Sequence, residues 1–190
     1  MKEILGSIAA LLAIAQSIPY IIDIFRGRTK PHLYTYLIWS IVTAIAFLGQ
    51  AKAGGGPGAW TTGVMAAISV GVLLLCVRYG TKDITNLDGV FLAGAMAAIA
   101  LWLVTNDPLS SVVLATLIDV LAFFPTIRKT YRDPRSETLI SYIANLFRHP
   151  LSILALASYS LTTVIYPAGL FVINAILVTI IVVRRKSIVR

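Results

Sequence analysis

Three side chains in this sequence, Asp119, Arg148 and His149, carry or can carry charge deep inside long apolar stretches. Counted at ~1.5 Å per residue along a helix, each lies about ten residues into its segment and so near the middle of a bilayer. An ionised group at that depth costs at least ~2.5–3.5 kcal/mol, so it turns toward a bundle interior or a wet cavity and takes a partner. Asp119 and Arg148 are the natural pair, either as a substrate or proton site or as an ion pair bracing two helices. Asn145 precedes Arg148 by one helical turn and shares its face, and Asn174 supplies a further amide. A substrate-binding cluster Asn145–Arg148–Asp119–Asn174 is therefore expected. His149 points ~100° away from Arg148 around the helix. Its imidazole titrates near neutral pH, which makes it a second proton-site candidate beside Asp119; a hydrogen bond to a neighbouring helix is the structural alternative. Trp39 lies deeper than an interfacial aromatic and joins the expected site, to stack on a sugar ring, plug a gate or pack the core. Gln16, Thr43 and Ser69 are the other midplane polar groups.

Other chemistries lack their parts. Ala53-Gly54-Gly55-Gly56-Pro57-Gly58 is glycine-rich but has no Lys-Ser/Thr after it to hold a phosphate, and reads as a flexible connector. His32 and His149 have no metal-ligand spacing, and the last apolar segment has no lysine for a retinal Schiff base. The single cysteine, Cys76, cannot form an internal disulfide and reads as core. No catalytic group, cofactor or metal is expected, and the chain is not read as an enzyme.

The elements that must position these residues are membrane helices. The 190-residue chain is 58% hydrophobic and 13% charged, against ~45–50% and ~25% in soluble domains. A bilayer core of ~30 Å takes ~20 apolar residues per helix. Segments 4–25, 33–50, 60–77, 88–104, 109–127, 138–158 and 162–183 meet that need, the fourth and fifth separated only by Asn106-Asp107-Pro108. The start resembles a signal peptide, but its apolar run continues through Phe25, so a first helix rather than a cleaved leader is expected.

The net charge of +8 is explained by topology rather than by nucleic acid. Arg26, Arg28 and Lys30 follow segment one; Arg78 and Lys82 follow segment three. Arg128, Lys129, Arg132 and Arg135 follow segment five, and Arg184, Arg185, Lys186 and Arg190 follow segment seven. Only Lys2 and Lys52 fall on the other side. The positive-inside bias then places the amino terminus outside and the carboxyl terminus in the cytoplasm, in the plasma (inner) membrane. The expected partners are the lipid bilayer and a small-molecule substrate, with no nucleic acid; a homo-oligomer is left open.

The chain also repeats itself. Ile18-Pro19-Tyr20-Ile21-Ile22-Asp23-Ile24-Phe25-Arg26 returns 106 positions later as Phe124-Pro125-Thr126-Ile127-Arg128-Lys129-Thr130-Tyr131-Arg132, and Leu33 and Tyr36 return as Leu139 and Tyr142. Two halves of three helices, an odd number, can be parallel only if a further helix inverts the chain between them, which is the place of segment four. Its small residues Gly94-Ala95-Met96-Ala97-Ala98 suit close packing.

On these features the chain resembles the SWEET/PQ-loop superfamily. The resemblance implies an all-α integral membrane fold with seven transmembrane helices: a first three-helix bundle (1–80), an inversion linker helix (81–106) and a second three-helix bundle (107–190). It implies transport of a small polar solute, a sugar or a carboxylate or amino-acid-like substrate, by alternating access. Pro19, Pro125 and Pro150 match hinge or gate prolines, with Ala44 at the position paired with Pro150. Tyr20 and Thr126 stand where the PQ-loop signature has glutamine. Asn174 is similar to a substrate-facing asparagine whose first-half counterpart here is Ile68. A ligand-binding or sorting receptor, and a structural membrane protein, are the alternatives on the same fold.

Overall fold

The computed structural model describes residues 1–27, 31–80, 86–123, 127, 130–132, 134 and 139–188. Among them the chain is helical with no strand: α1 (Lys2–Phe25), α2 (Leu33–Lys52), α3 (Trp60–Tyr79), α4 (Asn86–Thr105), α5 (Pro108–Ala122), α6 (Leu139–Leu154) and α7 (Leu161–Ile188). Helices suit such a sequence because they satisfy every interior peptide group within the segment, where lipid offers no hydrogen bonds. Four stretches are long and apolar enough to cross a membrane: Lys2–Phe25, Leu33–Lys52, Gly56–Tyr79 and Leu161–Lys186. Gly89–Thr105 and Pro108–Ala122 are shorter apolar helices. These helices mark an integral membrane protein. α6 is amphipathic instead, because Asn145, Arg148 and His149 share it with apolar residues.

Local chemistry explains where the helices begin and end. The His32 ring accepts the Thr35 amide at the start of α2. Asp107 caps α5 by accepting from the amides of Leu109 and Ser110, with Pro108 in the first turn, where its missing N–H costs nothing. Asn106 takes a left-handed φ of 51° in the tight turn between α4 and α5. The Lys52 ammonium holds that turn, 2.8 Å from the Asn106 side-chain oxygen.

The contacts form a closed pattern. α3 packs on α1 and on α2, and α7 packs on α5 and on α6. α1 packs against α6, and α2 against α5. α4 lies on α2 and α5, where Ala95 and Ala98, both fully buried, let it approach Ile38, Val42, Ala115 and Ile118 closely. Cys76 is buried with Ile24 and Val72, as its core reading requires.

Three helix ends differ from the sequence reading by four or five residues. α5 ends at Ala122 rather than 127, α6 at Leu154 rather than 158 and α7 at Ile188 rather than 183. The second difference has a visible cause. The Ala157 amide leaves the helical pattern to donate to the Gly55 carbonyl at 2.9 Å, and the Ser152 hydroxyl donates to the Gly58 carbonyl at 2.6 Å.

The glycine-rich segment before α3 is therefore not the flexible connector its composition suggests. Gly54 and Gly56 take φ of 75° and 56°, and the Gly55 amide returns to the Gln50 carbonyl at 2.7 Å. Gly58 lies so close to α6 that a β-carbon there would stand 2.6 Å from the Ser152 carbonyl oxygen. Glycine is needed here for close backbone approach as well as for turning.

Candidate functional site

A cavity of about 160 Å³ lies between α1–α3 on one side and α5–α7 on the other. A buried water needs ~10–15 Å³ by this kind of measure, so the space holds several waters or one small solute. Gln16 comes from α1, Trp39 and Thr43 from α2, and Ser69 from α3. Across from them stand Asp119 from α5, Asn145, Arg148 and His149 from α6, and Tyr166 and Asn174 from α7.

The polar wall is organised around Asn145. Its side-chain oxygen accepts from Gln16 Nε2 at 3.1 Å, from Arg148 Nη2 at 2.9 Å and from Arg148 Nε at 3.2 Å. Its Nδ2 donates to the Asn174 side-chain oxygen at 2.9 Å, and Asn174 in turn donates to the Leu170 carbonyl at 2.7 Å. Gln16 thus joins α1 to α6, and Asn145 joins α6 to α7. The geometry of Asn145 is the helical spacing predicted from sequence: three residues before Arg148, it holds the guanidinium along its own helix.

Asp119 belongs to a separate group. Its Oδ2 accepts from the Tyr166 hydroxyl at 2.7 Å, and the Trp39 indole also approaches the carboxylate. The expected Asp119–Arg148 ion pair is not formed: no carboxylate oxygen lies within 4.0 Å of the guanidinium among the described residues. The packing explains this, since α5 and α6 each pack on α7 rather than extensively on each other. Each ion finds its first partner near at hand, Arg148 on its own helix and Asp119 on α7. Both side chains are deeply buried, at 6% and 5% exposure, and both face the same cavity.

His149 departs from expectation in the other direction. Although adjacent residues diverge around a helix, it lines the same cavity as Arg148, and its Nε2 lies 3.4 Å from Arg148 Nη2. A guanidinium on a long flexible stem can swing back over its neighbour, which the divergence of the Cβ directions does not capture. Pro150 lies next in the chain, inside α6.

Trp39 meets the Tyr36 ring edge-on at 5.4 Å, and Tyr36 lies 6.0 Å from Tyr20, so an aromatic file runs from the cavity toward the Phe25 end of α1. Thr43 returns its hydroxyl to the Trp39 carbonyl at 2.5 Å, and so offers the cavity little. Pro19 is inside α1 with its ring exposed on the outer surface of the bundle, as suits a bend rather than a contact with solute. Pro125 lies outside the described residues.

Sequence reasoning missed Tyr166, Ser152, Thr61 and Gln50. Tyr166 stands five residues after the start of α7, is 4% exposed and donates to Asp119. Pro167 beside it, in a helix interior, was the available signal. Gln50 is fully buried and donates to the Thr163 carbonyl at 3.0 Å. Among the described residues no three His, Cys, Asp or Glu side chains gather as metal ligands would. The cavity can hold a polar solute between a fixed cation and a fixed carboxyl group, with an indole and a phenol on the carboxyl side. No protein-family model, no curated protein sequence and no solved structure matches the chain, so its function has to be read from this site.

Proposed function

We propose that this chain is a membrane transporter of a small polar solute, working by alternating access between two three-helix bundles of the SWEET/PQ-loop kind. On this reading residues 1–80 form one bundle, 107–190 the other, and α4 within 81–106 inverts the chain between them. The observation that carries the proposal is the contact pattern around the cavity. Shifting α1, α2 and α3 by the repeat maps them onto α5, α6 and α7. It also turns the α1–α6 contact into the α5–α2 contact, and the α1–α3 and α2–α3 contacts into α5–α7 and α6–α7. Two like bundles thus meet across two like seams with a polar cavity between them, the arrangement in which rocking opens one side while closing the other.

The positive-inside bias supports an external amino terminus and a cytoplasmic carboxyl terminus in the plasma (inner) membrane. The Lys52 end would then be the outer end. There Gly55 and Gly58 of one bundle bond to Ala157 and Ser152 of the other, as an outward-closed state requires. Pro19 and Pro150 serve as hinges within α1 and α6, and Pro125 is assigned the same role from the repeat. Asp119, Asn145, Arg148, Asn174 and Trp39 form the solute site, with Asp119 and His149 as proton-site candidates.

The test is counterflow in proteoliposomes with a panel of sugars, amino acids and carboxylates. At least one solute should exchange, and Asn174→Ala should reduce its exchange at least several-fold while Ser69→Ala has little effect. Absence of exchange for every solute class, in protein that remains folded, would overturn the transporter reading.

A further inference from the structure

We infer that the solute this cavity takes is a small carboxylate carrying a hydrogen-bond donor, an amino or hydroxyl group, at its other end. The inference rests on the reading of the cavity as a solute site and names the chemistry that site selects.

The first observation is Arg148. Arg148 is 5% exposed and lines the cavity, and among the described residues its guanidinium is bonded only to the side chains of Asn145 and His149. Both bonds to Asn145 use Nε and Nη2; Nη1 makes no hydrogen bond among the described residues. A permanently charged, planar donor set that is pinned on one edge and free on another presents its free edge to whatever enters. Planar two-oxygen anions match that edge in a way that neutral hydroxyls do not. A neutral sugar would bring no counter-charge into contact with the buried cation, since Asp119 stands on the cavity out of its reach.

The second observation is what faces Arg148. Asp119, its carboxyl bonded to Tyr166 and approached by Trp39, stands on the same cavity without reaching the guanidinium. Gln16 Oε1 is buried and finds no hydrogen-bond partner among the described residues. Gln16 Oε1 is an acceptor in want of a donor, and the Asp119 carboxyl is a second acceptor on the same cavity. A solute bearing only negative charge would meet Asp119 unfavourably, and a doubly charged phosphate more so. A carboxylate end for Arg148 and a donor end for Gln16 or Asp119 matches both sides of the cavity at once. It also bridges a cation and a carboxyl group that the fold keeps apart. Burial of all of them makes an unmatched group costly, which is how a polar site discriminates.

The experiment uses the full chain in lipid nanodiscs and compares binding of alanine, lactate, propionate and glucose by calorimetry. The first three share a three-carbon skeleton and differ only in the donor. Alanine or lactate should bind at least tenfold more tightly than propionate, and glucose should not bind. Arg148→Lys keeps a positive charge but loses the planar fork, and should weaken the bound carboxylate at least tenfold while the melting temperature confirms folding. Asp119→Asn should bring the preferred solute and propionate closer together. Equal binding of propionate would overturn the donor half of the inference. Binding of glucose alone, or of none of the three carboxylates, would overturn all of it. The two readings fail separately: counterflow of glucose without carboxylate binding removes this inference and keeps the transporter. Carboxylate binding without counterflow of any solute does the reverse.

Discussion

Replacing Gly58 by alanine should force apart the seam at the Lys52 end of the molecule. The added carbon would stand 2.6 Å from the Ser152 carbonyl oxygen and 2.7 Å from the Leu156 amide nitrogen, both backbone atoms that cannot rotate away. A carbon needs about 3.5 Å from its non-bonded neighbours, so the two segments must separate by about 1 Å. That separation stretches the Ser152 hydroxyl to Gly58 bond from 2.6 Å and the Ala157 amide to Gly55 bond from 2.9 Å beyond useful length. Two neutral hydrogen bonds contribute ~1–3 kcal/mol together, which is a shift of ~5–150-fold away from the closed state. Ser152→Ala removes one of the two without steric strain, for ~1 kcal/mol and ~5-fold. The readout is a cavity thiol, Ser69→Cys with Cys76→Ala, labelled by a membrane-impermeant maleimide added outside intact cells. The Ser152→Ala background should label about fivefold faster and Gly58→Ala faster still. Lys52→Cys is the control and should react from outside in every background. If Lys52→Cys reacts while neither Gly58→Ala nor Ser152→Ala changes the labelling of position 69, the seam is not a gate and the reasoning fails. A silent Lys52→Cys would refute the orientation itself.

Two further outcomes can be measured on stability. Tyr166→Phe removes the donor to the buried Asp119 carboxyl and should destabilise the protein by ~1.5–3 kcal/mol, the range for hydrogen bonds to a charged group; a change near zero in chemical denaturation would mean that the bond contributes nothing net. Asp107, exposed at the start of α5, has its carboxylate held below the ordinary value of 3.8, chiefly by the Leu109 amide, with Ser110 and Lys52 adding to it. A lowered folded value means that its contribution is present above the unfolded value and is lost as pH falls through the folded one. The melting temperature should therefore drop below about pH 4, and drop less steeply in Asp107→Asn, which caps the helix without titrating.

The helices were legible because lipid leaves few options for a chain this apolar, and all seven starts given above fall within two residues of the segments read from composition. Asn145, Arg148, Asp119 and Asn174 were legible for the same reason in reverse, since polar groups at that depth need a common interior. Their partners were not. Whether Asp119 meets Arg148 or Tyr166 depends on which helices touch, and a one-turn count along each helix says nothing of the gap between α5 and α6. Tyr166 lies only five residues into its helix, outside a count confined to midplane polar groups. The glycine-rich segment looked flexible because composition reports what a backbone can do and not what it is pressed against.

The seam between Gly54–Gly58 and Ser152–Ala157 is closely packed main chain joined by the Ala157 amide and the Ser152 hydroxyl, so parting it alters relief far more than surface chemistry. A synthetic antibody fragment selected against that face would have to tell closed from open by topography, and would then hold whichever form it recognised. Such a reagent would give a chain of 190 residues the rigid external mass that single-particle imaging needs. It would also allow each form to be isolated without any substitution in the cavity.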